Sequence, residues 1–303
     1  MKKIIIFLFS VSIFYSIDSQ TIDDLRRFYS YDPSEDINFR VVQTIDTTQA
    51  TIFKIVYTGG NHMQVTACLI IPKNNLSRYP AIIFLHGPGQ NKYIFLNNAI
   101  SLAGNSFASL LIDDPPARPV SQKINYQNYS EPGKELLVHR QSVIDVRRGI
   151  DLLEQHPKID GDRIAFTGIE YGAWTGAIVA GVEFRIMTYI LINCPSRPSS
   201  DLRLSNEPRI VKIRNTLTSE QLNQYEVTLL KLDPVNYLPY HRNSNILFQY
   251  PAEDSTSLIN IPFEAFKSAS EPKTMVTYKT SVFDLINFPE ALQTRNKWLF
   301  NHL

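Results

Sequence analysis

The sequence predicts an α/β domain built on a mostly parallel, doubly wound sheet with antiparallel strands at its start. Two patterns carry this. Runs of Val, Ile and Thr flanking a Gly-Gly-Asn turn open the chain, and from Ala81 onward fully apolar runs of strand length alternate with helical stretches. Apolar strands separated by helices imply a sheet covered on both faces. With 303 residues, 44% hydrophobic and 19% charged, the chain has material for one large core.

Taken in order, Lys2 and Lys3 precede an apolar run from Ile4 to Ile17 that ends in Asp18, Ser19 and Gln20. That order of charge, apolar stretch and small-residue boundary predicts a signal peptide over residues 1–19. The run is shorter than the roughly 20 residues that span a bilayer. An exported chain, periplasmic or secreted, is expected, with no membrane association after cleavage. Residues 20–303 then form a single domain.

A short polar helix is expected around Asp23 to Tyr29. Asn38 to Ile45, Thr51 to Tyr57 and Met63 to Ile71 are the antiparallel strands, and Gly59, Gly60 and Asn61 supply a turn that accepts positive φ. The later strands are Ala81 to Leu85, Phe107 to Ile112, Arg163 to Thr167, Thr188 to Ile192, Asn245 to Tyr250 and Thr274 to Tyr278. Between the second and third of these, Glu135 to Gln155 places Val138, Ser142, Val146, Ile150 and Leu153 at helical spacing, with His139 expected on the helix surface. His156-Pro157 ends that helix. Residues 195–239 interrupt the alternation after a strand end, the place where an insertion can roof a ligand crevice, and are expected to form a small cap.

Composition excludes several functions. Thirty Lys and Arg against 29 Asp and Glu leave +1, too little for a generic nucleic-acid or anionic-membrane surface. Cys68 and Cys194 match no zinc spacing and are expected to be buried thiols. Neither metal nor cofactor is expected. The oligomeric state is left open.

One motif carries chemistry. Arg163 to Thr167 is a strand, Gly168-Ile169-Glu170-Tyr171-Gly172 a tight turn, and Ala173 to Val182 a small-residue helix. This is the context of a GxSxG nucleophile elbow, with Glu170 where the nucleophile stands. Together with Asp145-Val146-Arg147-Arg148-Gly149-Ile150-Asp151, His156-Pro157, Asp162-Arg163-Ile164-Ala165, Phe84-Leu85-His86-Gly87 and Leu247-Phe248-Gln249-Tyr250, the chain resembles the α/β-hydrolase superfamily from about Val65 to Leu303. The resemblance is to the secreted dienelactone-hydrolase-like and acetyl xylan esterase-like branch.

That resemblance implies an α/β-hydrolase fold and a triad of nucleophile, acid and histidine. The nucleophile position falls on Glu170 and the acid on Asp254, with Glu253 its neighbouring alternative. The histidine position falls on Phe283 or Val282, neither of which moves a proton. Oxyanion donors are sought at Gly87, Pro88, Gly89 and the N–H of Tyr171. Pro88 has none, so Gly89 or Gln90 would have to replace it. His86, Tyr93 and Trp174 are candidate ligand-binding residues. Of the six histidines only His302 lies beyond Asp254, at a helix end. Serines at 196, 199, 200, 255 and 257 lie on no glycine-flanked elbow.

Three functions follow as expectations. The first is an exported, catalytically degenerate protein that keeps a crevice for a small-molecule or carbohydrate-ester-like ligand. The second is an active carboxylic-ester hydrolase with a non-standard Glu170 site. The third is an interaction module using the cap.

Overall fold

A computed structural model describes residues 21–119, 131–206, 208–252 and 263–303. The expected leader at 1–19, Glu253, Asp254, Ser255 and Ser257 lie outside the described residues.

Helix α1 (Ile22–Phe28) starts on a capping box in which the Thr21 hydroxyl accepts from the Asp24 N–H and the Asp24 carboxylate reaches back. Strands β1 (Arg40–Asp46), β2 (Ala50–Thr58) and β3 (Gln64–Pro72) pair antiparallel, as expected. Asn61 and His62 take φ of 52° and 56° in the turn between β2 and β3. Strands β4 (Tyr79–Leu85), β5 (Ala108–Ile112), β6 (Ile159–Ile169), β7 (Ile186–Ile192), β8 (Asn245–Pro251) and β9 (Lys273–Tyr278) run parallel to one another. The described strands form one sheet of order β1-β2-β3-β5-β4-β6-β7-β8-β9.

Period-two alternation divides the core between the two faces. Ala81, Ile83 and Leu85 of β4 join one cluster with Val143, Val146 and Ile150 of α3 (Pro132–Gln155) and Ala173 and Ala177 of α4 (Tyr171–Val182). Ile82 and Phe84 join the other with Ala99 and Leu102 of α2 (Leu96–Ala103) and Ala291 and Leu299 of α10 (Pro289–His302). Cys68 and Cys194 are both buried free thiols, as expected.

Edge strand β1 is exposed along its length, with Val41, Val42 and Ile45 open to solvent. A bulge between Val41 and Gln43 leaves Val42 without a partner on β2.

Among the described residues, three α-helices, α5 (Pro198–Leu204), α6 (Pro208–Arg214) and α7 (Ser219–Leu229), lie between β7 and β8. Helix α7 packs on α3 and α5. A Thr218 capping box with Gln221 starts α7, and Ser199 donates its N–H (3.0 Å) and hydroxyl (2.6 Å) to the Asp233 carboxylate.

This packing corrects one expectation. His139 is fully buried rather than on a helix surface, because α3 has the sheet on one side and α7 on the other. Arg148 is also buried; it donates to the Glu35 carbonyl and pairs with Asp151. Arg118 forms an ion pair with Asp145 and donates to the Asp113 carbonyl. Asp145 in turn accepts from the Gly60 N–H at 2.8 Å and from Gln141 at 2.7 Å, which pins the β2–β3 turn to α3.

Candidate active site at the Glu170 elbow

Glu170 links the end of β6 to α4 with φ 49° and ψ −106°. A non-glycine residue there stores on the order of 1–3 kcal/mol, which persists only where the surroundings enforce it. They do. The Glu170 N–H donates to the Ile192 carbonyl at 2.8 Å, and its own carbonyl accepts from the Trp174 N–H at 2.8 Å.

The flanking glycines show why the turn tolerates no larger residue. A Cβ on Gly172 would stand 2.9 Å from the His86 carbonyl oxygen and 2.7 Å from the Leu85 carbonyl carbon; one on Gly168 would stand 2.7 Å from the Ala173 nitrogen. Helix α4 therefore touches β4 and β6 backbone to backbone.

The loop after β4 faces this elbow. A Cβ on Gly87 would meet Glu170 Oε2 at 2.8 Å and Gln90 Oε1 at 3.2 Å, so the carboxylate lies directly over the loop in which oxyanion donors were sought. The Gly87 N–H donates to Gln90 Oε1 at 3.0 Å, and the Gln90 N–H returns to the Gly87 carbonyl at 3.3 Å. Gly89, at φ 69°, closes that small loop around Pro88. Gly87, expected as an oxyanion donor, thus gives its hydrogen to the Gln90 side chain, for which the sequence carries no signal.

His86 is buried, and both of its ring nitrogens are engaged. The Asp114 N–H donates to Nε2 at 3.2 Å, which makes Nε2 the acceptor and puts the proton on Nδ1, 2.8 Å from the Gly87 carbonyl. Burial pushes the Asp114 carboxyl up to about 6, against the opposing hydrogen bond from the Ala117 N–H.

Tyr171 and Trp174 are buried on α4, and Trp174 Nε1 donates to the Leu232 carbonyl at 2.5 Å, tying the elbow helix to the segment after α7. His139 lies against both rings, at centroid distances of 4.3 Å and 3.7 Å. Neither of its nitrogens has a hydrogen-bond partner among the described residues, and burial holds the ring well below its ordinary pKa. Tyr93 is exposed, beneath the ammonium groups of Lys92 and Lys54.

The remaining histidines are committed elsewhere. His241 contacts the Ser244 hydroxyl and the Ser270 carbonyl, His62 faces Glu35, His156 accepts from the Lys158 N–H, and His302 packs on Trp298. At the histidine position, beyond α8 (Glu264–Ser268) and β9, Val282 is buried and begins the short helix α9 (Val282–Leu285), which also contains Phe283 and is capped by Ser281. Among the described residues no cluster of His, Cys, Asp and Glu could hold a metal ion.

A parallel sheet entered by antiparallel strands, with a strained elbow between a strand and a close-packed helix, defines an α/β-hydrolase. Solved structures share the fold. An acetyl xylan esterase from Paenibacillus sp. R4 superposes with a TM-score of 0.74 at 18% identity, covering 93% of each chain. One from Thermoanaerobacterium sp. JW/SL YS485 gives 0.73 at 18% identity, over 90% of this chain and 93% of that one. An α/β hydrolase from Penicillium sp. sh18 gives 0.64 at 15% identity, over 83% and 98%. No curated protein matches significantly. The sequence model of the acetyl xylan esterase (AXE1) family matches residues 15–280, and the chain belongs to that family.

Proposed function

We propose that this protein is an exported, catalytically degenerate member of the acetyl xylan esterase family that keeps a crevice for a small acylated-carbohydrate ligand. The observation that carries the reading is the position of the Glu170 carboxylate. It stands on the elbow where a hydroxyl would attack, and it lies over Gly87, whose N–H already belongs to Gln90.

Acyl transfer needs a nucleophile, a base that takes its proton, and donors for the developing oxyanion. A glutamate can in principle attack carbon, but the ester so formed must be released by water that a base has activated. The imidazoles of His86, His139 and His241 are committed to other contacts or buried against aromatic rings. Removing any one member of a triad typically leaves only about 10³- to 10⁴-fold over water.

Export rests on the leader-like residues 1–19, and no described helix is long and apolar enough to cross a membrane. The helices between β7 and β8 supply the wall of the crevice, anchored through Trp174 and Ser199.

The test is a fluorophosphonate probe and a panel of activated acetyl esters applied to the mature chain. No labelling and no turnover above buffer are expected. Turnover that disappears in Glu170→Gln would overturn the proposal in favour of an active esterase. The double variant Glu170→Ser with Phe283→His is expected to regain measurable esterase activity.

A further inference from the structure

Helix α7 packs on α3 and on α5 along a largely apolar seam, in which Leu202 of α5 and Leu229 of α7 belong to the same core cluster as Val143 and Val146 of α3. Three acidic side chains from three elements enter it: Glu135 of α3, Asp201 of α5 and Asp233 of the segment after α7. Two of them bridge elements. Glu135 Oε2 accepts from the Tyr225 hydroxyl of α7 at 3.5 Å, and Asp233 accepts from the Ser199 N–H and hydroxyl of α5 at 3.0 and 2.6 Å. The third does not. Asp201 Oδ1 is buried without a hydrogen-bond partner among the described residues, and the charges that act on Asp201 are those of Asp233 and Glu135, both of its own sign.

No cation offsets them. Among the described residues no ion pair is made to Glu135, Asp201 or Asp233. Arg197, which faces Asp233, is held by Glu264 at 2.7 Å. Arg203 of α5 pairs with Glu226 of α7 at 2.6 Å, Arg214 of α6 donates to the Arg203 and Ser205 carbonyls, and Lys134 of α3 pairs with Glu131. His139, one turn beyond Glu135, is neutral because burial holds its pKa down.

Burial accordingly raises Glu135 to about 7 and Asp233 to about 6, and pushes Asp201 well above the ordinary carboxyl range. Neutral carboxyls tolerate one another across an apolar seam. Ionised ones demand water, and like charges without a cation repel. The closed seam holds protons that an open, hydrated one releases, so its closure weakens as pH rises through 6 and 7.

We propose that the seam joining α3, α5 and α7 is a pH-sensitive latch: Glu135, Asp201 and Asp233 let the helices between β7 and β8 close on α3 while neutral, and free α5 and α7 from it when they ionise. The opening stands apart from the reading of Glu170; only its consequence, a crevice that loses its wall above neutrality, rests on the function proposed above.

The test is amide hydrogen exchange of the full mature chain at pH 5.5 and pH 8, expressed as protection factors so that the intrinsic pH dependence of exchange is removed. Protection of α5 and α7 should fall roughly a hundredfold between the two, from the release of protons by Glu135 and Asp233, while protection of α4 stays constant. Glu135→Gln and Asp201→Asn, neutral stand-ins for the protonated groups, should each shrink that fall about tenfold. Protection of α5 and α7 that is the same at both pH values would overturn the proposal, as would a loss shared equally by α4, which marks loosening of the whole domain. A fall that persists undiminished in Glu135→Gln would do the same even if Asp201→Asn fails to fold.

Discussion

The imidazole of His139 packs on the indole of Trp174 with centroids 3.7 Å apart, and neither ring nitrogen has a hydrogen-bond partner among the described residues. The ring contributes area and aromatic contact while two polar atoms are buried unsatisfied. Replacing it by phenylalanine keeps the first and removes the second. His139→Phe is therefore expected to raise stability by about 1–2 kcal/mol, read as a higher urea midpoint with an unchanged slope. A lower midpoint would show that the nitrogens are satisfied in solution.

The same residue fixes a pH dependence. Burial holds the folded pKa of His139 well below its ordinary value near 6.5. As pH falls through 6.5 the unfolded chain takes up a proton that the folded chain refuses, so stability drops by up to about 1.4 kcal/mol per pH unit. The drop should flatten in His139→Phe. An unaltered pH profile in that variant would refute the assignment.

Glu135, four residues earlier on α3, has the opposite sign. Burial raises its carboxyl to about 7, opposed by the Tyr225 hydroxyl that donates to it. The folded state holds a proton that the unfolded state releases from about 4.5 upward, so this contribution is full below 4.5 and lost as pH rises through 7. Glu135→Gln should be more stable than the parent at pH 8 and close to it at pH 5, measured by chemical denaturation at both values.

Much of the fold was legible because it is written in periodicity. The apolar runs placed the parallel strands within a few residues, and the Gly-Gly-Asn turn marked the β2–β3 connection. Gly168 and Gly172 announced the elbow because only a missing Cβ lets α4 lie on β4. What was not legible depends on a second neighbour. His139 looked like a surface residue because the stripe on α3 was matched to one partner, the sheet, whereas α7 covers the other side. Gln90 gave no signal, since an amide that caps a main-chain N–H three residues back is an accident of loop shape. Arg295 carries no mark of burial in the sequence, because its burial comes from α10 packing on β7 and β8.

The close approach at the elbow gives a further expectation. A methyl on Gly172 would collide with main-chain atoms of Leu85 and His86, which cannot rotate away. Gly172→Ala should cost about 3 kcal/mol, visible as a Tm lower by several degrees. Gly133→Ala, in the first turn of α3 and with nothing within 4 Å of the added carbon, is the control and should leave the Tm unchanged or slightly raised.

Glu183 is a pH sensor at the acid end. Burial works to raise its carboxyl, but the Arg185 hydrogen bond and the charges of Arg185 and Arg147 outweigh it and bring it to about 2. Its contribution is full above the unfolded value of 4.5 and lost as pH falls toward 2. Glu183→Gln should be less stable than the parent at pH 7 and approach it near pH 2, followed by circular dichroism.

The bulge at Val42 has a consequence for crowded conditions. A foreign chain laid along β1 would find donors and acceptors in phase on one side of that kink and out of phase on the other. Growth of a fibril from this border stalls after a few residues, which lets greasy valines face water without recruiting copies of themselves. Deleting the one extra residue would restore the beat and turn the border into a template.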